Sequence, residues 1–259
     1  MNRPTLGKLI GASLGPGDPG LITRRAWEAL QQGAHWTYPI RKKGDASYAL
    51  DIALRGGLTL PTAHTPLIFP MTHDAGILAR YWLQAAHTVV DLLNTGRDVV
   101  FLVEGDASTF STFTYLARSV RALDAGIEVE IIAGVPSFHA AAARLQVPLA
   151  ESDETVAIVP AGYGIDMVER LLEDFDTLVL LKVKPLLDDV IDLLQRRDLL
   201  AHSYFIEKAG APQERVERNV ARLKGEKVNY LSLLLIRNPE RVRGALQRGC
   251  RKKIVADIL

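Results

Sequence analysis

The chain has 259 residues, 48% apolar and 24% charged, and its 31 basic side chains nearly cancel its 30 acidic ones. Those values exclude wholesale disorder, and with twelve charges of each sign in residues 1–140 neither half is a basic platform for nucleic acid. The single Cys250 excludes a disulfide framework or a cysteine zinc cluster; with no apolar run near the ~20 residues of a membrane helix, and Lys8 inside the apolar N-terminal stretch, we expect a soluble cytoplasmic protein with neither anchor nor signal peptide.

Leu9 to Leu14 reads as a first strand and runs straight into Gly15-Pro16-Gly17-Asp18-Pro19-Gly20. Leu21, Ile22, Ala26 and Leu30 then mark one face of a helix that Gly33 ends. His35–Ile40 is a second strand, 47–54 a short helix closed by Gly56-Gly57, and 66–69 a brief third strand. Thr72 is expected to cap a long helix through Leu93, with His73 and Asp74 as helix-opening polar residues rather than an acid–base pair. Val99–Val103 is an unbroken β-branched and aromatic run, the pattern of a strand buried on both faces. It stops at Glu104-Gly105-Asp106-Ala107-Ser108, after which Leu116, Val120 and Leu123 recur at helical spacing. A loop between a strand's carboxyl end and a helix is where open α/β sheets bind ligands; on spacing alone it reads equally well as a turn whose Asp or Ser caps the helix.

Residues 127–132 form another strand, and Gly134-Val135-Pro136-Ser137-Phe138 leads into an Ala-rich helix to Leu145. Regular alternation to this point predicts a parallel sheet with helices on both faces. Residues 146–154 are polar and Pro-broken, so we expect two α/β domains, 1–148 and 149–259, with a cleft between them. In the second, strands are expected at 156–160, 178–183, 203–207 and 230–236, and helices at 167–175, 186–197 and 215–223.

Gly15-x-Gly17-x-x-Gly20 has the spacing of a dinucleotide loop, but Pro16 and Pro19 remove N–H donors a pyrophosphate would need. The second strand also ends in Tyr38-Pro39-Ile40-Arg41, without the acidic residue that would hold a ribose. The six histidines lack metal-ligand spacing, so no metal site is expected. Ser137 is not in a Gly-x-Ser-x-Gly elbow, which disfavours a hydrolase. Seven basic residues against one acidic between Arg237 and Lys253 read as a solvated tail.

Three segments, Gly15-Pro16-Gly17-Asp18-Pro19, Glu104-Gly105-Asp106-Ala107-Ser108 and Gly134-Val135-Pro136-Ser137-Phe138, resemble in order and position those of the tetrapyrrole (corrin and sirohaem) methyltransferases that use S-adenosylmethionine. Two runs, 105–112 and 134–149 continuing to Asp153-Glu154-Thr155, look most like the members that methylate C-20 of precorrin-2. The resemblance implies a homodimer with the donor in the cleft. It implies that Pro16 lies by the cleft, that Glu104, Gly105, Asp106, Ala107 and Thr109 hold the donor's methionine end, and that Pro136 and Ser137 line the same site. Lys182, Ala209, Leu231 and Ser232 fall where the family holds adenosine; relatives often have Met at the position of Lys182 and Pro at that of Ala107. A sulfonium donor carries no phosphate, so a Pro-interrupted loop suits it, and the cofactor itself supplies the electrophile. Asp18 and Glu104 are candidate general bases, and Arg41, Lys42 and Lys43 candidate contacts to a tetrapyrrole with many carboxylates. The alternatives are another tetrapyrrole or ribosomal RNA methyltransferase of this family, or a non-catalytic donor-binding module.

Overall fold

The computed structural model describes residues 6–244; Cys250 and the rest of the tail from Ala245 on lie outside the described residues. The first half runs β1 (Leu9–Ser13), α1 (Arg24–Gln31), β2 (His35–Ile40), α2 (Tyr48–Arg55), β3 (His64–Ile68), α3 (Ala75–Leu93), β4 (Val99–Val103), α4 (Thr112–Leu123), β5 (Val129–Ile132) and α5 (Ser137–Leu145). Its five strands make one sheet in the order β3-β2-β4-β1-β5, every pair parallel. The period-two pleat distributes β4 between two cores. Val99, Phe101 and Val103 pack with α3 and α4, whereas Val100 and Leu102 pack with α1 and α2. That double coverage is why the run lacks a polar face. Burying each such side chain is worth about 1.5–3 kcal/mol.

The second half runs β6 (Val156–Pro160), α6 (Ile165–Asp174), β7 (Thr177–Leu181), α7 (Leu187–Arg196), β8 (Ser203–Glu207), β9 (Arg215–Glu217) and β10 (Ser232–Arg237). The sheet order is β6-β7-β10-β8-β9, parallel only between β6 and β7. Helices α6 and α7 cover one face around Leu178, Leu180 and Leu234. The other face, with Val179, Ile206 and Leu233, receives Phe138 and Ala141 of α5. Helix α5, which follows the last strand of the first sheet, is thus built into the core of the second.

Three expectations need correction. Residues 215–223 are not a helix: Arg215–Glu217 pairs with β8 as an edge strand, and only Val220–Leu223 makes a 3-10 turn. Val216, Val220 and Leu223 mimic a helical stripe, but the unfilled edge of β8 wins, leaving Val216 exposed while Val220 and Leu223 are buried. The cap of α3 is Asp74, whose Oδ1 accepts the Ile77 N–H at 2.8 Å; Thr72 instead accepts the N–H of Asp74. The start of the basic tail is not a free solvated face. Arg237 pairs with Glu154 at 2.7 Å, Arg243 with Asp176 at 2.7 Å and Arg241 with Asp176 at 3.1 Å. Burial works to raise the Asp176 carboxyl, but the Thr155 N–H, Arg243, the Thr155 hydroxyl and Arg241 together hold it far below the usual carboxylate range.

Candidate active site

The loops after β1, β4 and β5 meet at the carboxyl rim of the parallel sheet and are bonded to one another. Gly15 and Gly105 exchange backbone hydrogen bonds, at 3.2 Å from Gly15 N to Gly105 O and 2.7 Å in return. Both have left-handed φ, +75° and +74°, which glycine adopts without steric penalty. Buried Ser13 joins all three loops: its hydroxyl donates to the Ile132 carbonyl at 2.6 Å and accepts the Ala107 N–H at 2.8 Å. A Cβ at Gly134 would lie 2.3 Å from the Ser13 Cβ, so the third loop requires its glycine.

Asp106 completes the junction. Oδ2 accepts the Gly134 N–H at 2.9 Å, while Oδ1 accepts the Ser108 N–H at 2.9 Å, the Thr109 hydroxyl at 3.1 Å and the Ser108 hydroxyl. Burial opposes ionisation, but these four bonds outweigh it and hold the carboxyl below its ordinary value. The first loop is fixed from outside by α2: Tyr48 donates to the Pro16 carbonyl at 3.0 Å and Arg55 to the Gly17 carbonyl at 2.7 Å.

The second half supplies the facing wall. A Cβ at Gly17 would meet the Ala209 carbonyl oxygen at 2.6 Å, so the halves touch where the Gly-Pro-Gly turn meets the loop after β8. Between them lies a cavity of about 310 Å³, at the lower end of the range for small-molecule sites. From the first half Pro16, Glu104, Gly105, Asp106, Thr109, Pro136 and Ser137 line it. Lys182, Ala209, Leu231 and Ser232 line it from the second. Two sequence candidates do not. Ala107 is fully buried behind the loop, and Asp18 caps the turn at Pro19–Leu21 through the Gly20 N–H at 2.8 Å. A larger hollow of about 410 Å³, between α4 and the edge strand β5, contains none of the motif residues.

Glu104 is exposed to the open cavity, and the protein packed around that cavity partly desolvates it. This desolvation pushes its carboxyl above the ordinary value of 4.5, opposed in part by the charge of Arg41. Desolvation and the Glu104 charge raise the Tyr48 hydroxyl to about 12, so it stays a donor to Pro16. Arg41, Lys42 and Lys43 are exposed and none lines the cavity.

The cavity also contains residues that the sequence reading missed: Tyr48, Met71, Phe110, Lys208 and Tyr230. Only Lys208 left a usable trace, as the cation between a strand end and Ala209-Gly210.

A family model described as Tetrapyrrole (Corrin/Porphyrin) Methylases matches residues 8–223, from the first strand past β9. The chain belongs to that family. It is 33% identical over 193 residues to the probable cobalt-precorrin-2 C(20)-methyltransferase of Methanocaldococcus jannaschii, covering 74% of this chain and 78% of that one. It is 31% identical to the cobalt-precorrin-2 C(20)-methyltransferase of Salmonella typhimurium, covering 89% and 96%. The uroporphyrin-III C-methyl transferase of Thermus thermophilus, solved in complex with S-adenosylhomocysteine, shares the fold with a TM-score of 0.59 at 23% identity, covering 89% and 97%.

The residues fit an S-adenosyl donor. A Cβ at Gly105 would meet nothing within 4 Å, so the space beside that backbone is free for a ligand. The first-half wall offers the Glu104 carboxylate, hydroxyls at Thr109 and Ser137 and main-chain groups, with Pro16 and Pro136 where a phosphate loop would need N–H donors; the cations Lys182 and Lys208 stand on the opposite wall. That suits a sulfonium with an amino acid end and a nucleoside end better than a pyrophosphate.

Proposed function

We propose that this chain transfers a methyl group from S-adenosylmethionine to C-20 of precorrin-2 or its cobalt form, cobalt-factor II, in corrin ring synthesis. The observation that carries the reading is the loop junction bonded through Gly15, Gly105, Asp106 and Gly134 in a chain about one-third identical to relatives named for this reaction. When bound, the donor supplies an electrophilic methyl.

The chain's part is to hold, orient and exclude water. Pro16, Gly105, Thr109, Pro136 and Ser137 hold the methionine end, with Asp106 and Ala107 acting from behind to fix the loop. The main chain at Lys182, Ala209, Leu231 and Ser232 takes the adenosine. Glu104 is the proton acceptor at the acceptor carbon: it faces the cavity, and its raised carboxyl lies nearer the working pH than an ordinary glutamate's. Asp18, already engaged as a cap, is not. We read the chain as a cytoplasmic homodimer with no nucleic-acid partner, which the family resemblance and the balanced charge support. No helix among the described residues is long and apolar enough to cross a membrane.

Methyl transfer with labelled donor tests the reading. Label in the C-20 position of cobalt-factor II or precorrin-2 is expected. Label only in another tetrapyrrole position or in ribosomal RNA, or donor binding without turnover, overturns it.

A further inference from the structure

Two lysines that the sequence reading did not assign to the acceptor face the cleft from the second wall. Lys182 follows β7 and Lys208 follows β8, the two strands that flank β10. The Lys182 N–H donates to the Ser232 carbonyl at 3.1 Å and the Lys208 N–H to the Leu231 carbonyl at 2.7 Å, so both are pinned to the start of the same strand. Both line the cavity. Both also have left-handed backbone, with φ of +57° and +50°. A lysine gains nothing from that conformation, which hinders its Cβ. Of the six non-glycine residues with positive φ among the described residues, Phe110, Lys182 and Lys208 line the cleft. Strain of this kind gathers where surrounding structure forces a side chain into a functional position.

The charges are uncompensated. Neither ammonium has a carboxylate within ion-pair distance among the described residues, although Lys8 and Lys224 both do. The Lys182 Nζ lies over the Tyr230 ring, 5.9 Å from its centroid, and Lys208 is half-buried. The cation acting on Glu104 is Arg41, not either lysine. Lys182 is exposed beside the cavity, so its charge is free to meet an arriving anion, and at the half-enclosed Lys208 a cation without an anion is unfavourable until a ligand brings one.

We propose that Lys182 and Lys208 are a paired anchor for carboxylates on the rim of the methyl acceptor and determine which acceptors the cleft accepts. The sulfonium donor is a poor candidate for both. It is itself cationic at the reacting centre and carries one carboxylate, whereas two ammoniums on either side of one strand suit a ligand bearing several. The acceptor's carboxylates supply that pattern, and charge-assisted hydrogen bonds to lysine fix the ring in the cleft.

This inference rests on the methyltransferase reading above, and one set of measurements separates their failures. Lys182→Met, Lys208→Met and the double variant are assayed for the acceptor KM in methyl transfer and for S-adenosylhomocysteine Kd by calorimetry. Each single change is expected to raise the acceptor KM about tenfold and to move the donor Kd by much less, because the adenosine is assigned to the main chain at Lys182 and not to its ammonium. Lys208→Arg should restore most of the loss. High salt should raise the wild-type KM and leave that of the double variant nearly flat. If Lys208→Met does not fold, Lys182→Met and Lys208→Gln carry the same test. A double-variant KM within about twofold of wild type overturns the anchor, as does a donor Kd that weakens in step with KM. Failure of the wild-type chain to bind S-adenosylhomocysteine overturns the methyltransferase reading itself.

Discussion

On the first-sheet wall of the cleft, three short loops each carry their own chemistry and are tied together by backbone groups and two small side chains, Ser13 and Asp106. On the second-sheet wall, the cavity is lined by the ends of β7, β8 and β10, and its residues come from three distant stretches around 182, 208 and 231. The first wall is local in sequence and rigid through hydrogen bonds; the second depends on register. On the reading proposed above, the loops of the first wall and the main chain of the second hold the donor, which leaves the strand-end side chains of the second wall free to set acceptor choice without disturbing a motif.

The largest break in this comparison is expected at Gly134. Gly134→Ala sets a methyl 2.3 Å from the Ser13 Cβ and 2.9 Å from the Gly105 carbonyl oxygen, so the junction itself must open. We expect a loss of about 3 kcal/mol in denaturant unfolding, with S-adenosylhomocysteine binding abolished. An alanine at Gly33, where a Cβ meets nothing but φ is +78°, should cost only about 1 kcal/mol and leave binding intact. Equal effects at the two glycines would remove the special status of the junction.

Glu104→Gln separates chemistry from stability on the same wall. An ionised Glu104 is needed to accept a proton, so the wild-type kcat should fall as pH drops through its raised value, and the variant should lose that limb along with about a hundredfold in kcat. Stability moves the other way. A carboxyl whose folded value lies above its ordinary 4.5 favours the fold at low pH, and that contribution fades as pH rises through the folded value. Glutamine cannot ionise, so thermal denaturation at neutral pH should find the variant at least as stable as wild type. A less stable Glu104→Gln would mean that the glutamate supports the fold rather than the reaction.

How far these roles can be read without coordinates follows the same division. Val99–Val103, the parallel pairing of the first half and all three loops were legible because pleat periodicity and turn residues act over a few positions, whereas the strand order was not. Residues 215–223 misled because a stripe at helical spacing carries no information about the empty edge of β8. Asp106 was legible as a site residue but not as a brace, since its four donors are set by the fold. Tyr230 was illegible as a cleft residue and Lys208 left only a trace, because strand pairing is what brings them there.

Asp106→Asn should therefore act first through the loop. It retains one acceptor oxygen but turns an NH2 toward donors, leaving at least one N–H of the junction unmatched, for a loss of about 1–3 kcal/mol. Donor affinity should weaken as the loop loosens. The sign of the pH dependence is fixed by the lowered carboxyl of the wild type. Its stabilisation is fully present above the ordinary value of 3.8 and is lost as pH falls through the lower folded value. The stability difference between wild type and Asp106→Asn should accordingly narrow only in strong acid. A difference constant down to pH 2 would indicate that the ionised carboxylate contributes nothing.

The smallest effect is expected from the cations that were easiest to see. Lys42 and Lys43 stand together just past β2, fully in solvent and outside the cavity lining, so their charges are screened and their side chains free. Lys42→Ser/Lys43→Ser should change the acceptor KM by less than about twofold and the stability by less than about 0.5 kcal/mol. Arg41 differs from both, because its charge reaches Glu104, and its removal should raise the Glu104 carboxyl further and shift the acid limb of kcat upward in pH. An acceptor KM that responds to Lys42 and Lys43 as strongly as to Lys182 and Lys208 would move substrate choice from the strand ends back to the first half, reversing the roles of the two walls.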